Sequence, residues 1–450
     1  MSETGWTDNL TSVDGYDFPI PDSVSFTIAK SIQAVSDDSL LYFGTLDGSA
    51  YAVALHDGST AWSAALPSGT VSTAAVLGNS VIIASTRGVV HAFDRRTGVE
   101  LWRFDTRSAV TSAPCIQGDC IVVANHRGDV LCFEENGTLR WSAVIGAPVV
   151  GGIAASDRIV YIPAENLSVY ALDLATGNRR AAAFVSGQSF RLCHPVIHGR
   201  WLWVTSCPIV MPGSEYIMEE VMASSSTLDE EERNILQWLS GEDNNGNWRF
   251  ASPDWRHIAA LDTGTLEQRF TIPAGPVDGC GYPPPSVCVD NTGRVLRWWK
   301  TRFPSLTTIG PVFGSSHTID LAAVDSVTGR RRPIDNGRLS GMWPLETDNL
   351  YALSVGGNFI WMRQNFRGTQ VLDLETSTHT LVQVTTRYND GGNFSHANIC
   401  YRNENLSDGG QSVPYRTSQQ PIEGRVAPSI VDRYVVLVES FGIVVLEEDR

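Results

Sequence analysis

Neither a C-x-x-C motif nor an adjacent cysteine pair occurs in this chain of 450 residues, although it holds eight cysteines. Those thiols stand singly, mostly within strand-like stretches (Cys115, Cys120, Cys132, Cys193). There they read as small buried apolar groups, and only Cys280 and Cys288 are candidates for a disulfide. No apolar run reaches the roughly 18 residues that a bilayer-crossing helix needs, so no membrane partner is expected. Charge is sparse at 18 % and unbalanced at −16, which argues against the cationic surface that nucleic acid or anionic lipid requires. The opening residues, MSETGWTDNLTSVDGYDF, lack a basic segment followed by an apolar run. A soluble cytoplasmic protein is therefore expected, with a removed export signal as the alternative. G-x-S-x-G, H-E-x-x-H and phosphate-loop motifs are missing, as is any ligand set with metal-binding spacing.

What is present is repetition. An apolar strand, a turn ending in glycine and a second strand with a large side chain recur in AVALHDGSTAW, AFDRRTGVELW, CFEENGTLRW, ALDLATGNRRA, ALDTGTLEQRF and AVDSVTGRRR. Trp62, Trp102 and Trp141 are spaced by 40 and then 39 residues, the mark of a modular array. Residues 72–105 resolve one unit into four strands, TAAVLG, VIIAST, VVHAFD and ELWRFD, joined by hairpin connectors rich in glycine and polar residues. Four antiparallel strands per unit, repeated radially, predict an all-β propeller, with the recurring tryptophan filling the space between blades. Third strands near residues 51, 91, 131, 169, 257, 319, 369 and 443 give eight blades. The last unit stops after its third strand, so SVSFTIA (23–29) is expected to supply the missing outer strand and close the ring. The expectation is one propeller domain over residues 1–450.

LYFGTLDGSAYAVALHDGSTAW, VIIASTRGVVHAFDRRTGVELW and IVVANHRGDVLCFEENGTLRW resemble the quinoprotein-type (PQQ-like) β-propeller family. The resemblance covers nearly the whole chain, with insertions in units five to seven. That family includes PQQ-dependent alcohol dehydrogenases and a bacterial outer-membrane assembly lipoprotein that acts as a scaffold. Its dehydrogenases hold the quinone against an adjacent-cysteine disulfide and a carboxylate-bound calcium. This chain has neither counterpart, so no PQQ and no other cofactor or metal is expected.

Long loops are expected at 207–255, 273–282, 301–317, 356–368 and 385–425, with 331–340 shorter. All belong to the connections between strands two and three or between blades, which emerge on one face. The largest carries a predicted helix from a cap at Thr227 to Gly241. Long loops in a compact domain are usually functional, so a site is expected on this face. Candidate catalytic residues are His194, His257 and His396 for proton transfer, Arg191, Arg256 and Arg425 for charge stabilisation, and Asp254. Trp255, Tyr282, Trp343, Lys300, Arg363 and Tyr401 are expected to line the pocket, with Trp361 near them. Two functions follow. The first is a cofactor-independent enzyme or binder of a small organic molecule, its chemistry acid–base or electrostatic: cyclisation, elimination or isomerisation. The second is a non-catalytic scaffold that docks a protein partner on the same face.

Overall fold

The structure, a computed structural model, describes residues 34–206 (less 38, 46–47, 57, 67–72, 188 and 192), 258–272, 287–302, 317–329, 331–332, 334, 344–345, 350–364, 368–375, 379–382, 429–431, 434–438 and 443–447. Their strands form eight separate antiparallel sheets. The first holds β1 (Val35–Ser36), β2 (Leu40–Gly44), β3 (Ser49–Ala54) and β4 (Thr60–Ala65). The second holds β5 (Ala75–Leu77), β6 (Ser80–Ala84), β7 (Val89–Asp94) and β8 (Glu100–Asp105). The third holds β9 (Cys115–Gln117), β10 (Cys120–Ala124), β11 (Asp129–Phe133) and β12 (Leu139–Val144). The fourth holds β13 (Ala154–Ala155), β14 (Ile159–Ala164), β15 (Ser168–Asp173) and β16 (Arg179–Phe184). The fifth comprises β17 (Val196–His198), β18 (Trp201–Thr205), β19 (Ile258–Asp262) and β20 (Gln268–Ile272). In the sixth are β21 (Cys288–Val289), β22 (Val295–Arg302), β23 (His317–Val324) and β24 (Arg331–Arg332), with β25 (Pro344–Leu345) also on β23. The seventh runs β26 (Leu350–Gly356), β27 (Phe359–Gln364), β28 (Gly368–Asp373) and β29 (His379–Val382). The eighth has three strands, β30 (Ser429–Val431), β31 (Tyr434–Val438) and β32 (Ile443–Glu447). By internal contact the chain divides into one unit of residues 1–161, 172–180 and 351–450 and another of 162–171 and 181–350.

Burial along each sheet explains its composition. Second strands such as β6 (SVIIA) and β10 (CIVVA) are buried at every position, and they read as unbroken apolar runs because both faces are covered. Fourth strands alternate: β8 (ELWRFD) and β16 (RRAAAF) expose every second residue. The core therefore lies between successive sheets. One cluster joins Tyr42 and Trp62 of the first sheet to Ile83 and Phe93 of the second. Another joins the second sheet to Ile121, Val123 and Phe133 of the third. In the other unit, Trp203 and Ile272 pack with Val295 and Ala322.

The repeated tryptophan and glycine lock these sheets together. Each indole N–H donates to a carbonyl in the following sheet's last turn: Trp62 to Arg95, Trp102 to Glu135 and Trp141 to Leu174, at 2.7–2.8 Å. The ring lies on the glycine of that same turn. A Cβ at Gly98, Gly137 or Gly177 would come within 2.5–2.7 Å of the indole, and all three glycines have positive φ. The glycine thus serves two needs, a left-handed turn and a flat seat. At the joint between the fourth and fifth repeats the rule changes. Ala181 stands at the fourth repeat's tryptophan position, and the fifth repeat's turn carries Leu266, at φ 59 and 1 % exposed, where the others have glycine. With no indole to seat, the turn can hold a side chain. Phe270 then resumes the pattern against Gly329.

Two expectations about the loops are corrected or left aside. Residues 356–368 are not a long loop: β27 runs through them, bounded by a two-residue turn and the three residues 365–367. Hydrophobic Phe359–Met362 pairs with β28 as a sheet strand rather than as an elaboration. Trp361 belongs to that strand's buried interior, 2 % exposed, and is no pocket wall. The stretches 207–255, 273–282 and 385–425, with the predicted helix and the segment 23–29, lie outside the described residues, as does Cys280 of the candidate disulfide.

Candidate functional site

The turn between second and third strands shows where one repeat departs from the others. In three repeats the residue after the second strand caps its own turn. Thr45 Oγ1 accepts from the Ser49 N–H, Ser85 Oγ from Val89 and Asn125 Oδ1 from Asp129, at 3.0–3.2 Å. These are side-chain caps of a kind that polar turn residues commonly make. The fourth repeat has Glu165 there, in a turn shortened by one residue, with Leu167 at φ 60 instead of glycine.

Glu165 reaches into the connector that follows its own sheet. The Ser189 hydroxyl donates to its carboxylate at 2.8 and 3.0 Å, and the Phe190 N–H donates at 3.0 Å. Ser189 and Phe190 are fully buried. The Arg191 backbone N–H and Nε both donate to Ser189 Oγ at 3.1 Å. With that hydroxyl engaged and buried, Ser189 is an anchor rather than a nucleophile, and Glu165 is held by two donors rather than poised as a base. The consequence is a fixed backbone that presents Arg191 and, three residues on, His194. Both are exposed. His194 keeps open surface yet is enclosed by enough protein for desolvation to lower its pKa below the usual imidazole value, so it stands neutral at pH 7.

Of the expected set, Arg191 and His194 are the members whose side chains fall among the described residues. Lys300 lies in β22 and Arg363 in β27, placed by backbone only. His257, His396, Arg256, Arg425, Asp254, Trp255, Tyr282, Trp343 and Tyr401 lie outside the described residues. Glu165 and Ser189 were missed from sequence; the signal was a charged residue breaking the Thr45, Ser85, Asn125 register. Among the described residues no cluster of His, Cys, Asp and Glu could hold a metal ion, and no helix is long and apolar enough to cross a membrane.

A concavity of about 440 Å³ opens elsewhere, beside the turns of the third and fourth sheets, lined by Asp119, Cys120, Arg140, Asp157, Arg158 and Arg180 among others. Most of its charge is spent internally. Arg140 donates to Asp119 at 2.6 and 3.2 Å and to Cys120 Sγ at 2.9 Å, and Arg180 pairs with Asp173. Burial pushes the neighbouring Cys132 thiol up to about 12, which keeps it protonated and inert.

Comparison with known proteins bears on this geometry at the level of fold. Residues 3–206 match the family described as outer membrane protein assembly factor BamB, a PQQ-type repeat family. Those residues are thus similar to PQQ-like repeats. The propeller fold extends over almost the whole length. The crystal structure of BamB from Moraxella catarrhalis is 13 % identical, with 94 % of this chain and 96 % of that one covered and a TM-score of 0.52. The computationally designed Ika8 protein is likewise 13 % identical, with 95 % and 97 % covered and a TM-score of 0.54. No curated protein matches the chain by sequence.

Proposed function

We propose that this PQQ-like propeller is a protein-interaction scaffold. The observation that carries the reading is the match of residues 3–206 to the BamB assembly-factor family, and the tryptophan–glycine joints support it by making a stiff frame for presented loops. The protein partner would dock on the face formed by the connections between second and third strands and between repeats. A second reading, a binder of a small organic acid or amide, is favoured by Arg191 and His194 alone. The acid–base enzyme depends on residues beyond the described ones and is supported by nothing further.

Photocrosslinking separates these readings. Benzoylphenylalanine at Thr86, in a second-to-third-strand turn, is expected to give a discrete protein adduct, and at Thr176, in a third-to-fourth-strand turn, none. No adduct from Thr86, together with a stoichiometric organic compound released on denaturation and detected by mass spectrometry, would overturn the scaffold reading in favour of the second.

The eight sheets are, on this proposal, eight blades, with 23–29 adding the fourth strand of the last. Two features support closure: among the described residues the eighth sheet has three strands, and the Ser429 hydroxyl of β30 donates to the Ala34 carbonyl, just before β1, at 3.0 Å. Thr27→Pro, which removes a ladder donor, is expected to lower the urea midpoint, by about 1–3 kcal/mol of stability. An unchanged midpoint would rule out the pairing.

A further inference from the structure

We infer that the second and third repeats present a ridge of three arginines that docks an acidic segment of a partner protein, an inference that rests on the scaffold reading. Arg87, Arg107 and Arg127 recur at 20-residue intervals. Arg87 and Arg127 occupy equivalent turns, between β6 and β7 and between β10 and β11, and Arg107 lies in the connector from β8 to β9.

The backbone draws these three turns together. The Thr106 N–H donates to the Gly88 carbonyl at 2.7 Å, the Asn125 side-chain amide donates to the Thr106 carbonyl at 3.3 Å, and the His126 N–H donates to Ala109 at 2.9 Å. Arg107 is thereby set between the other two turns. It adopts φ 61, and its N–H is held by the Asp105 carboxylate at 2.7 Å. A left-handed conformation at a non-glycine residue is a cost that a fixed position has to offset.

All three arginines are exposed. Among the described residues Arg87 and Arg107 form no ion pair, and Arg127 has only Asp129 at 3.8 Å. That carboxylate also accepts from the Asn125 amide at 2.9 Å. Asp105 and Asp129 are thus the acidic groups on the ridge, both occupied in shaping its turns. Neighbouring repeats differ: the equivalent turn carries Asp47 in the first and Leu167 in the fourth, and arginine recurs only farther along the chain, as Arg367 in the seventh.

Arginine also selects the ligand. Only Lys30 and Lys300 are lysines, so nearly all cationic charge here is guanidinium, whose planar fork binds carboxylates bidentately. A chain of net charge −16 repels a long polyanion while leaving a local cationic ridge open to a short acidic segment.

The test measures fluorescence anisotropy of a fluorescein-labelled decaglutamate peptide with the full chain at low salt. The wild type is expected to bind, and R87Q/R107Q/R127Q to bind at least about ten-fold more weakly. Added salt should weaken the wild type and scarcely affect the variant. Because the side chains are exposed, circular dichroism and the urea midpoint should be unchanged, and R107Q alone should retain part of the loss. Equal binding by wild type and triple variant, or tighter binding of a ten-nucleotide oligothymidine than of the peptide, would overturn the inference. The scaffold reading fails separately. Arginine-dependent peptide binding without a Thr86 adduct upholds the ridge and counts against the scaffold; a Thr86 adduct undiminished in the triple variant overturns the ridge alone.

Discussion

Trp141→Ala is expected to destabilise the protein by about 3–5 kcal/mol, read as a fall in the urea midpoint. The indole is 8 % exposed, so its removal withdraws a large apolar group and opens a cavity that the sheets on either side cannot close without shifting together. The Leu174 carbonyl also loses its 2.8 Å donor, and Gly177 is left beneath empty space. Trp141→Phe keeps a ring over Gly177 and removes only the donor, so its cost should be nearer 1 kcal/mol. A loss below about 1 kcal/mol in the alanine variant would mean that the indole does not hold the two sheets together.

Gly88→Val is the second large effect. Gly88 has φ 88, and a Cβ there would lie 2.3 Å from the Ser108 carbonyl oxygen. A left-handed valine costs about 1–2 kcal/mol through its own backbone. The clash adds about 1–3 kcal/mol, because the obstructing atom is main chain and cannot rotate aside. Gly118→Ala provides the control: φ is 60, with nothing within 4 Å of the new Cβ. It should cost about 1 kcal/mol, from backbone conformation alone. Similar losses in both variants would show that the close approach of the two turns is absent in solution.

The frame was legible in the sequence because its rules are local and repeated. The 40-residue spacing of Trp62 and Trp102 reflects one joint made more than once, so a motif visible in a single repeat could be checked against the next. The unit of four strands in residues 72–105 corresponds to β5–β8. Legibility failed where apolar and polar signals competed. NFIWMRQN, flanked by glycine and arginine, read as loop because its charged end masked a strand whose centre is buried. The site was harder still. Arg191 and His194 were singled out as residue types, but what fixes them is Glu165, more than twenty residues earlier. Its role appears only when the turn it occupies is compared with Thr45, Ser85 and Asn125. Long-range hydrogen bonds of that kind leave no periodic trace.

The paired exchange of Ala181 and Leu266 has a consequence for how such a chain can evolve. Where tryptophan meets glycine at successive joints, a repeat duplicated or deleted among the first three units finds a matching neighbour on each side, and array length can change without inventing a new contact. At the joint with Ala181 and Leu266 the parts are no longer interchangeable. An inserted ordinary repeat would bring an indole against a leucine, or leave an alanine facing an empty seat. That altered joint therefore fixes the order of the units on either side of it.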